Sequence, residues 1–181
     1  MILINHKILI CDMSEEVFIT YGLGNFDYDK FEPIKNCKFN IKPKGGLWCS
    51  PKNSQFGWKD WCEAEEFCKN NGLKNYFEFN LKDSSRIYKI DCFYDLTLIP
   101  YKIIDPIYSS LSFSQNFIDY EEMAKHYDAI WLTAEGQWET RLPEMNGLFD
   151  IDGHNINLYG WDCESLLILN KDIIINVKYY E

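Results

Sequence analysis

An α+β domain rich in strands is the fold class this sequence predicts, and three observations predict it. Short β-branched and aromatic runs recur along the chain, among them Val17 to Tyr21, Leu47 to Ser50, Ala129 to Thr133 and Ser165 to Leu169. Only two segments carry apolar residues at helical spacing. The 181 residues are 46% hydrophobic, with six Trp, twelve Tyr and twelve Phe, and show neither a repeat nor a linker, so residues 1–181 read as a single domain.

Taken in order, Met1 to Cys11 alternates as a strand, and Val17 to Tyr21 is a second strand ended by Gly22-Leu23-Gly24-Asn25. Phe26 to Lys44 is polar, contains Pro33 and Pro43, and reads as a long loop. Gly45-Gly46 opens the strand Leu47 to Ser50, which Pro51 stops. Ser54 is the expected N-cap of a helix carrying Trp58, Trp61, Cys62 and Glu65 on one stripe, with Asn71-Gly72 as its stop. Tyr76 to Leu81 and Arg86 to Cys92 alternate as strands around the turn-like Asp83-Ser84-Ser85, which suggests a hairpin.

From Pro100 through Pro106 to about Asn116 the chain reads as irregular. Asp119 with Glu122 three residues on marks a helix start, and Tyr120, Met123, Ala124 and Tyr127 supply its apolar stripe. Residues 134–147 read as loop, and Asp152-Gly153 turns a hairpin between Leu148 and Tyr159. A buried strand over Ser165 to Leu169 and a last one over Ile173 to Val177 complete the set.

The net charge of −10 argues against direct binding to nucleic acid or an anionic membrane, since both require an excess of Lys and Arg. It favours solubility, or a basic or nucleic-acid-binding protein as partner. Seven cysteines with no Cys-x-x-Cys pair suggest reduced thiols. Met1 to Ile10 is short and carries His6 and Lys7, so no signal peptide is expected, and a cytoplasmic location follows.

Several chemical motifs fail on spacing. Gly22-x-Gly24 lacks the third glycine of a dinucleotide loop, because Asp27 stands there. Asp150-x-Asp152 places its glycine too early for a calcium loop. The cysteines and the three histidines lack zinc spacing, so no metal is expected. Cys163 between Asp162 and Glu164 is a poor nucleophile, because neighbouring negative charge disfavours the thiolate.

Three stretches remain: Phe18-Ile19-Thr20-Tyr21-Gly22, Lys42-Pro43-Lys44-Gly45-Gly46-Leu47-Trp48-Cys49-Ser50-Pro51, and Tyr159-Gly160-Trp161-Asp162-Cys163-Glu164-Ser165. In this order they resemble the strands that carry the active site of the ADP-ribosyltransferase superfamily. The resemblance implies split antiparallel β-sheets with a few flanking helices, and NAD as the substrate. It implies that Glu164 is the catalytic carboxylate, with Asp162 beside it by strand alternation. The resemblance also places Tyr21 in the catalytic set; many members of that superfamily carry His or Arg where this chain has Thr20-Tyr21, a departure that alters the ribose and adenosine contact. Thr20, Gly22, Trp48, Ser50, Lys44 and Arg141 are the implied NAD contacts: ring stacking by Trp48, close approach at Gly22, and pyrophosphate charge at Lys44 and Arg141. Ser50 is expected to brace Glu164 or to bond the ribose.

Two function classes follow. The first is an NAD-dependent ADP-ribosyltransferase acting on an intracellular macromolecule, in the manner of a phage or mobile-element effector against host or defence machinery. The second is a non-catalytic acidic inhibitor that occludes a basic nucleic-acid-binding partner, like an anti-CRISPR protein. Plainer roles stand beside both: Tyr21, Trp48 and Trp161 as core aromatics, Gly45-Gly46 as a turn, and Glu164 paired with Arg141 or Lys44 at a sheet rim.

Overall fold

Four consecutive apolar residues, Leu166 to Leu169, fill both faces of the sheet. Leu167 and Leu169 enter one hydrophobic cluster, while Leu166 and Ile168 enter the other. The neighbouring strand repeats the alternation, with Ile130 and Leu132 in the first cluster and Ala129 in the second. A strand buried on both faces therefore reads as an unbroken apolar run.

The computed structural model describes residues 15–37, 42–67, 72–103, 116–143, 147–148 and 156–180. Among them are the strands β1 (Phe18–Tyr21), β2 (Leu47–Pro51), β3 (Tyr76–Leu81), β4 (Ile87–Ile90), β5 (Tyr101–Ile103), β6 (Asn116–Ile118), β7 (Ala129–Leu132), β8 (Ser165–Ile168) and β9 (Ile174–Tyr180). Four short helices accompany them: α1 (Trp58–Ala64), α2 (Phe93–Thr97), α3 (Tyr120–His126) and α4 (Ala134–Thr140). The class is α+β. The strand expected over Met1 to Cys11 and the Asp152-Gly153 hairpin lie outside the described residues.

Seven strands form one mixed sheet in the order β4-β7-β8-β2-β1-β3-β9, and β5 pairs with β6 in a separate ribbon. Only β4 and β7 run parallel; the other neighbours are antiparallel. The shortest ladder of the sheet lies between β1 and β2. β1 meets β2 only through Phe18↔Pro51 and Ile19↔Ser50, whereas Leu47 to Cys49 pair with Ile168 to Leu166 of β8. Thr20 and Tyr21 pair with β3 instead, so β1 and β2 part company beyond Ile19.

Several elements differ from expectation. β3 and β4 are not a hairpin: β3 joins β1 and β9, while β4 joins β7 at the far edge. Asp128 directs that separation, because its carboxylate accepts from the Arg86 N–H at 3.0 Å and from both Nε and Nη2 of the guanidinium at 3.1 Å. α1 starts at Trp58 and not after Ser54. Its Gly57 N–H donates to Asp60 Oδ2 at 2.9 Å, and its Trp58 N–H donates to Ser50 Oγ of β2 at 3.1 Å.

Helix α4 stands where a loop was expected, and α2 falls between Cys92 and Pro100, a stretch to which the sequence assigned no element. Thr133 caps α4 by accepting from the Gly136 N–H at 3.1 Å, and Glu139 of α4 accepts from the Phe93 N–H at 2.9 Å, joining it to the start of α2. α3 matches its predicted start, with Asp119 accepting from the Glu122 N–H at 3.1 Å. No helix among the described residues is long and apolar enough to cross a membrane.

Candidate functional site

Where β1 and β2 separate, a cleft of about 410 Å³ opens. That volume lies in the range of small-ligand sites. Ile19, Thr20 and Tyr21 form one wall, and Trp48, Cys49 and Ser50 form the other. Trp58 of α1 and the Trp161-Asp162-Cys163 segment before β8 complete it. A second depression of about 480 Å³ continues past Ile19, Tyr21, Ser50 and Trp58, which line both, toward Lys52, Lys59, Tyr76 and Tyr180.

The walls are held by main-chain contacts. Thr20 Oγ1 donates to the Trp48 carbonyl at 3.1 Å, bridging the gap that the strands leave. Ser50 Oγ donates to the Glu164 carbonyl at 2.9 Å while accepting from Trp58, so one hydroxyl ties β2 to α1 and to the chain before β8. The Glu164 N–H donates to the Phe56 carbonyl at 3.0 Å.

Aromatic rings dominate the cleft. Trp161 is fully buried and meets Trp48 in a T-shaped contact at 4.6 Å, which fixes the plane of the Trp48 ring. Lys42 stands over the Trp48 ring at 5.5 Å and pairs with Asp162 Oδ2 at 3.3 Å. Tyr21 packs on Tyr76, which stacks on Tyr180, forming a three-ring ladder along the second depression. Burial, reinforced by Tyr76 and Asp60, raises the Tyr21 phenol above its ordinary value. Tyr21 is therefore a hydrogen-bond donor at neutral pH and not a base. Burial likewise pushes the Cys49 and Cys163 thiols up, which agrees with the poor nucleophile expected at Cys163.

Glu164 does not join this cleft. The residue, 8% exposed, instead lines a separate depression of about 360 Å³ with Lys89, Asp91, Trp131 and Thr133. There Glu164 Oε1 accepts from Trp131 Nε1 at 3.1 Å. Burial raises the Glu164 carboxyl above its ordinary range, against the Trp131 donor, which favours the charged form. The buried Ser54 hydroxyl lines the same depression and, like Trp131, favours the charged form of Glu164. Strand alternation placed Asp162 and Glu164 on one side, but β8 begins only at Ser165 and the chain bends at Cys163 and Glu164. The two carboxylates consequently line different depressions.

Comparison with known proteins adds no assignment. No family model matches the chain, and neither a curated protein nor a solved structure matches it.

Of the residues read from the sequence, the cleft brings together Thr20, Tyr21, Trp48, Ser50 and Asp162. Gly22, at φ +82°, lines a neighbouring depression with Leu23 and Trp48. Lys44 belongs to the Lys35↔Lys44 bridge and does not line the cleft, and Arg141 stands over the Tyr159 ring at 5.7 Å, also outside it. The expected rim pair of Glu164 with Arg141 or Lys44 is replaced by the Trp131 hydrogen bond. The plainer reading holds for Trp161, which is core as well as wall.

Sequence reasoning missed Lys42, Trp58 and Lys52 as lining residues. Lys42 sits two residues before Lys44 in the same motif, and Trp58 lies in the apolar stripe of α1. Neither position distinguishes a wall residue from a surface or core one. Among the described residues no His, Cys, Asp and Glu are grouped so as to hold a metal ion. The arrangement can stack a flat ring on Trp48 and Tyr21, offer it one carboxylate, and donate a hydrogen bond from Tyr21.

Proposed function

We propose that this chain is an NAD-dependent ADP-ribosyltransferase acting on a macromolecule, with the cleft between β1 and β2 as its NAD site. One observation carries the reading: the sheet opens between β1 and β2 into a cleft walled by Tyr21, Trp48 and Trp58, with a single carboxylate, Asp162, inside. That opening favours the split-sheet architecture of the superfamily that the three motifs resemble. The parallel β4–β7 pair is a departure from a purely antiparallel arrangement.

The residues then take these roles. The nicotinamide stacks on Trp48, and the adenine lies along Tyr76 and Tyr180 in the adjoining depression. Lys59 and Lys52, the latter paired with Glu78 at 2.7 Å, line that depression and supply positive charge for the pyrophosphate. As the bond from nicotinamide to ribose breaks, its electron pair leaves with nicotinamide and positive charge grows on the ribose. Asp162 stabilises that charge as a carboxylate does in glycoside hydrolysis. The acceptor's nucleophilic atom then bonds to the same ribose carbon and releases its proton to solvent. Glu164 supports from behind, through the backbone bonds that seat Ser50 and the start of β8.

Titration with NAD⁺, followed by tryptophan fluorescence and nicotinamide release, tests this reading. Saturable quenching and release that is lost in Asp162→Asn are expected. Absence of both, together with salt-sensitive inhibition of a basic nucleic-acid-binding partner, would overturn it in favour of an acidic binding protein, the class that the −10 charge also suits.

A further inference from the structure

Lys42 and Asp162 are the two charged residues among those that line the cleft. Their ion pair, Nζ to Oδ2 at 3.3 Å, leaves the cleft close to neutral. The same ammonium stands over the Trp48 ring at 5.5 Å. An aromatic face with a carboxylate beside it is an arrangement that recognises cations. Here the cation is supplied by the chain itself.

The pair is not locked. The Lys42 side chain is 36% exposed and that of Asp162 is 23% exposed, and ion pairs open to water hold weakly. Lysine reaches such a position on a flexible four-carbon stem that carries a strongly hydrated ammonium. The ring beneath it cannot move as easily, because the fully buried Trp161 braces Trp48 from the side. Displacing Lys42 would thus leave a rigid aromatic face and an uncompensated negative charge.

We propose that the Lys42 ammonium is a displaceable resident of a subsite built for a cationic heteroaromatic ring, held between the Trp48 face and the Asp162 carboxylate. A neutral ring of the same shape can stack on Trp48 but cannot replace the charge that Lys42 withdraws from Asp162. A cationic ring replaces both contacts. The subsite therefore selects ring charge as well as ring shape, and Lys42 sets the threshold that a ligand must exceed. The identity of the natural ring as oxidised nicotinamide rests on the NAD reading above, whereas the charge selection does not.

The test uses two probes that lack phosphate, the 1-methylnicotinamide cation and neutral nicotinamide, each titrated against the full chain by tryptophan fluorescence. The cation is expected to bind at least about tenfold more tightly than the neutral ring. Lys42→Met, which keeps the stem and removes the charge, should tighten the cation by about tenfold and change the neutral ring by less than about twofold. Lys42→Arg, with a broader and better stacking cation, should weaken the methylated ring instead. Asp162→Asn should erase the preference.

Equal affinity for the two rings, no binding of either ring at millimolar concentration, or weaker cation binding in Lys42→Met would each overturn the proposal. Because the probes carry no phosphate, a pyrophosphate contact by Lys42 cannot mask the result. If NAD⁺ is split but the two rings bind equally, this inference fails and the transferase reading survives. If the cation preference holds but no nicotinamide is released from NAD⁺, the transferase reading fails and the charge-selective subsite remains.

Discussion

The Ser50 hydroxyl donates to the Glu164 main-chain carbonyl at 2.9 Å and accepts from the Trp58 N–H at 3.1 Å. Three elements converge on that one oxygen: β2, the start of α1 and the bend before β8. The cleft lies over this junction, so the wall residues Trp48 and Trp58 hold their relative positions through it.

Ser50→Ala removes both bonds and leaves a buried carbonyl and a helix N–H without that partner. The expected loss is about 2 kcal/mol of folding stability, since an unsatisfied buried group costs about 1–3 kcal/mol. Urea denaturation measures it. A loss below about 0.5 kcal/mol would show that the junction does not depend on the hydroxyl.

Glu164 gives a pH dependence of definite sign. Burial raises its folded-state carboxyl above the ordinary value, so the folded chain binds the proton more tightly than the unfolded chain does. This group's contribution is most favourable below the unfolded value and is lost as pH rises through the folded one. Glu164→Gln keeps a carbonyl oxygen for the Trp131 donor and cannot ionise. Relative to the native chain, Glu164→Gln is therefore expected to gain stability as pH rises above the usual carboxylate range and to show no such gain in acid. Denaturation midpoints of both proteins across that range supply the difference. A difference that stays constant with pH would contradict the burial of the charged form.

Gly136 in α4 is a packing position. A Cβ built there would lie 2.1 Å from the Ile90 carbonyl oxygen and 2.9 Å from its carbon, both main-chain atoms of β4. Gly136→Ala must push the helix off the strand, with an expected cost of about 3 kcal/mol. A Cβ on Gly24 would meet nothing within 4 Å, so Gly24→Ala is the matched control and should change stability by less than about 0.5 kcal/mol. Thermal melts of the two variants decide the point.

These contacts also explain which elements could be read from the chain. β1, β2, β7 and β8 are buried runs whose composition declares them, and Asp119 with Glu122 marks the start of α3 directly. α2 and α4 have no such stripe. They span five and seven residues and are fixed by tertiary contacts, Gly136 against Ile90 and Glu139 on the Phe93 N–H. α1 and α3 are no longer than α4, at seven residues each, but they carry apolar stripes; without one, periodicity has nothing to read. β3 and β4 follow each other in sequence, yet the Asp128–Arg86 contacts carry β4 to the opposite edge, and that pairing is nonlocal. At the site, Tyr21, Trp48 and Ser50 converge because their strands are neighbours in the sheet. The Asp162–Glu164 bend has no sequence marker, so alternation misplaced one carboxylate.

The tryptophans separate the cleft from the rest of the surface in a single measurement. Trp138 on α4 is 80% exposed and lies outside the cleft, whereas Trp48 lies within it beside the buried Trp161. Trp138→Phe should remove most of the emission that acrylamide quenches and leave ligand-induced quenching intact. Trp48→Phe should do the reverse, because a ring stacked on Trp48 acts on that indole first. The substitution also weakens the T-shaped contact with Trp161, so a modest loss of about 1 kcal/mol in stability is expected with it. If quenching by NAD⁺ disappears in Trp138→Phe and persists in Trp48→Phe, the ligand sits on α4 and the cleft between β1 and β2 is not its site.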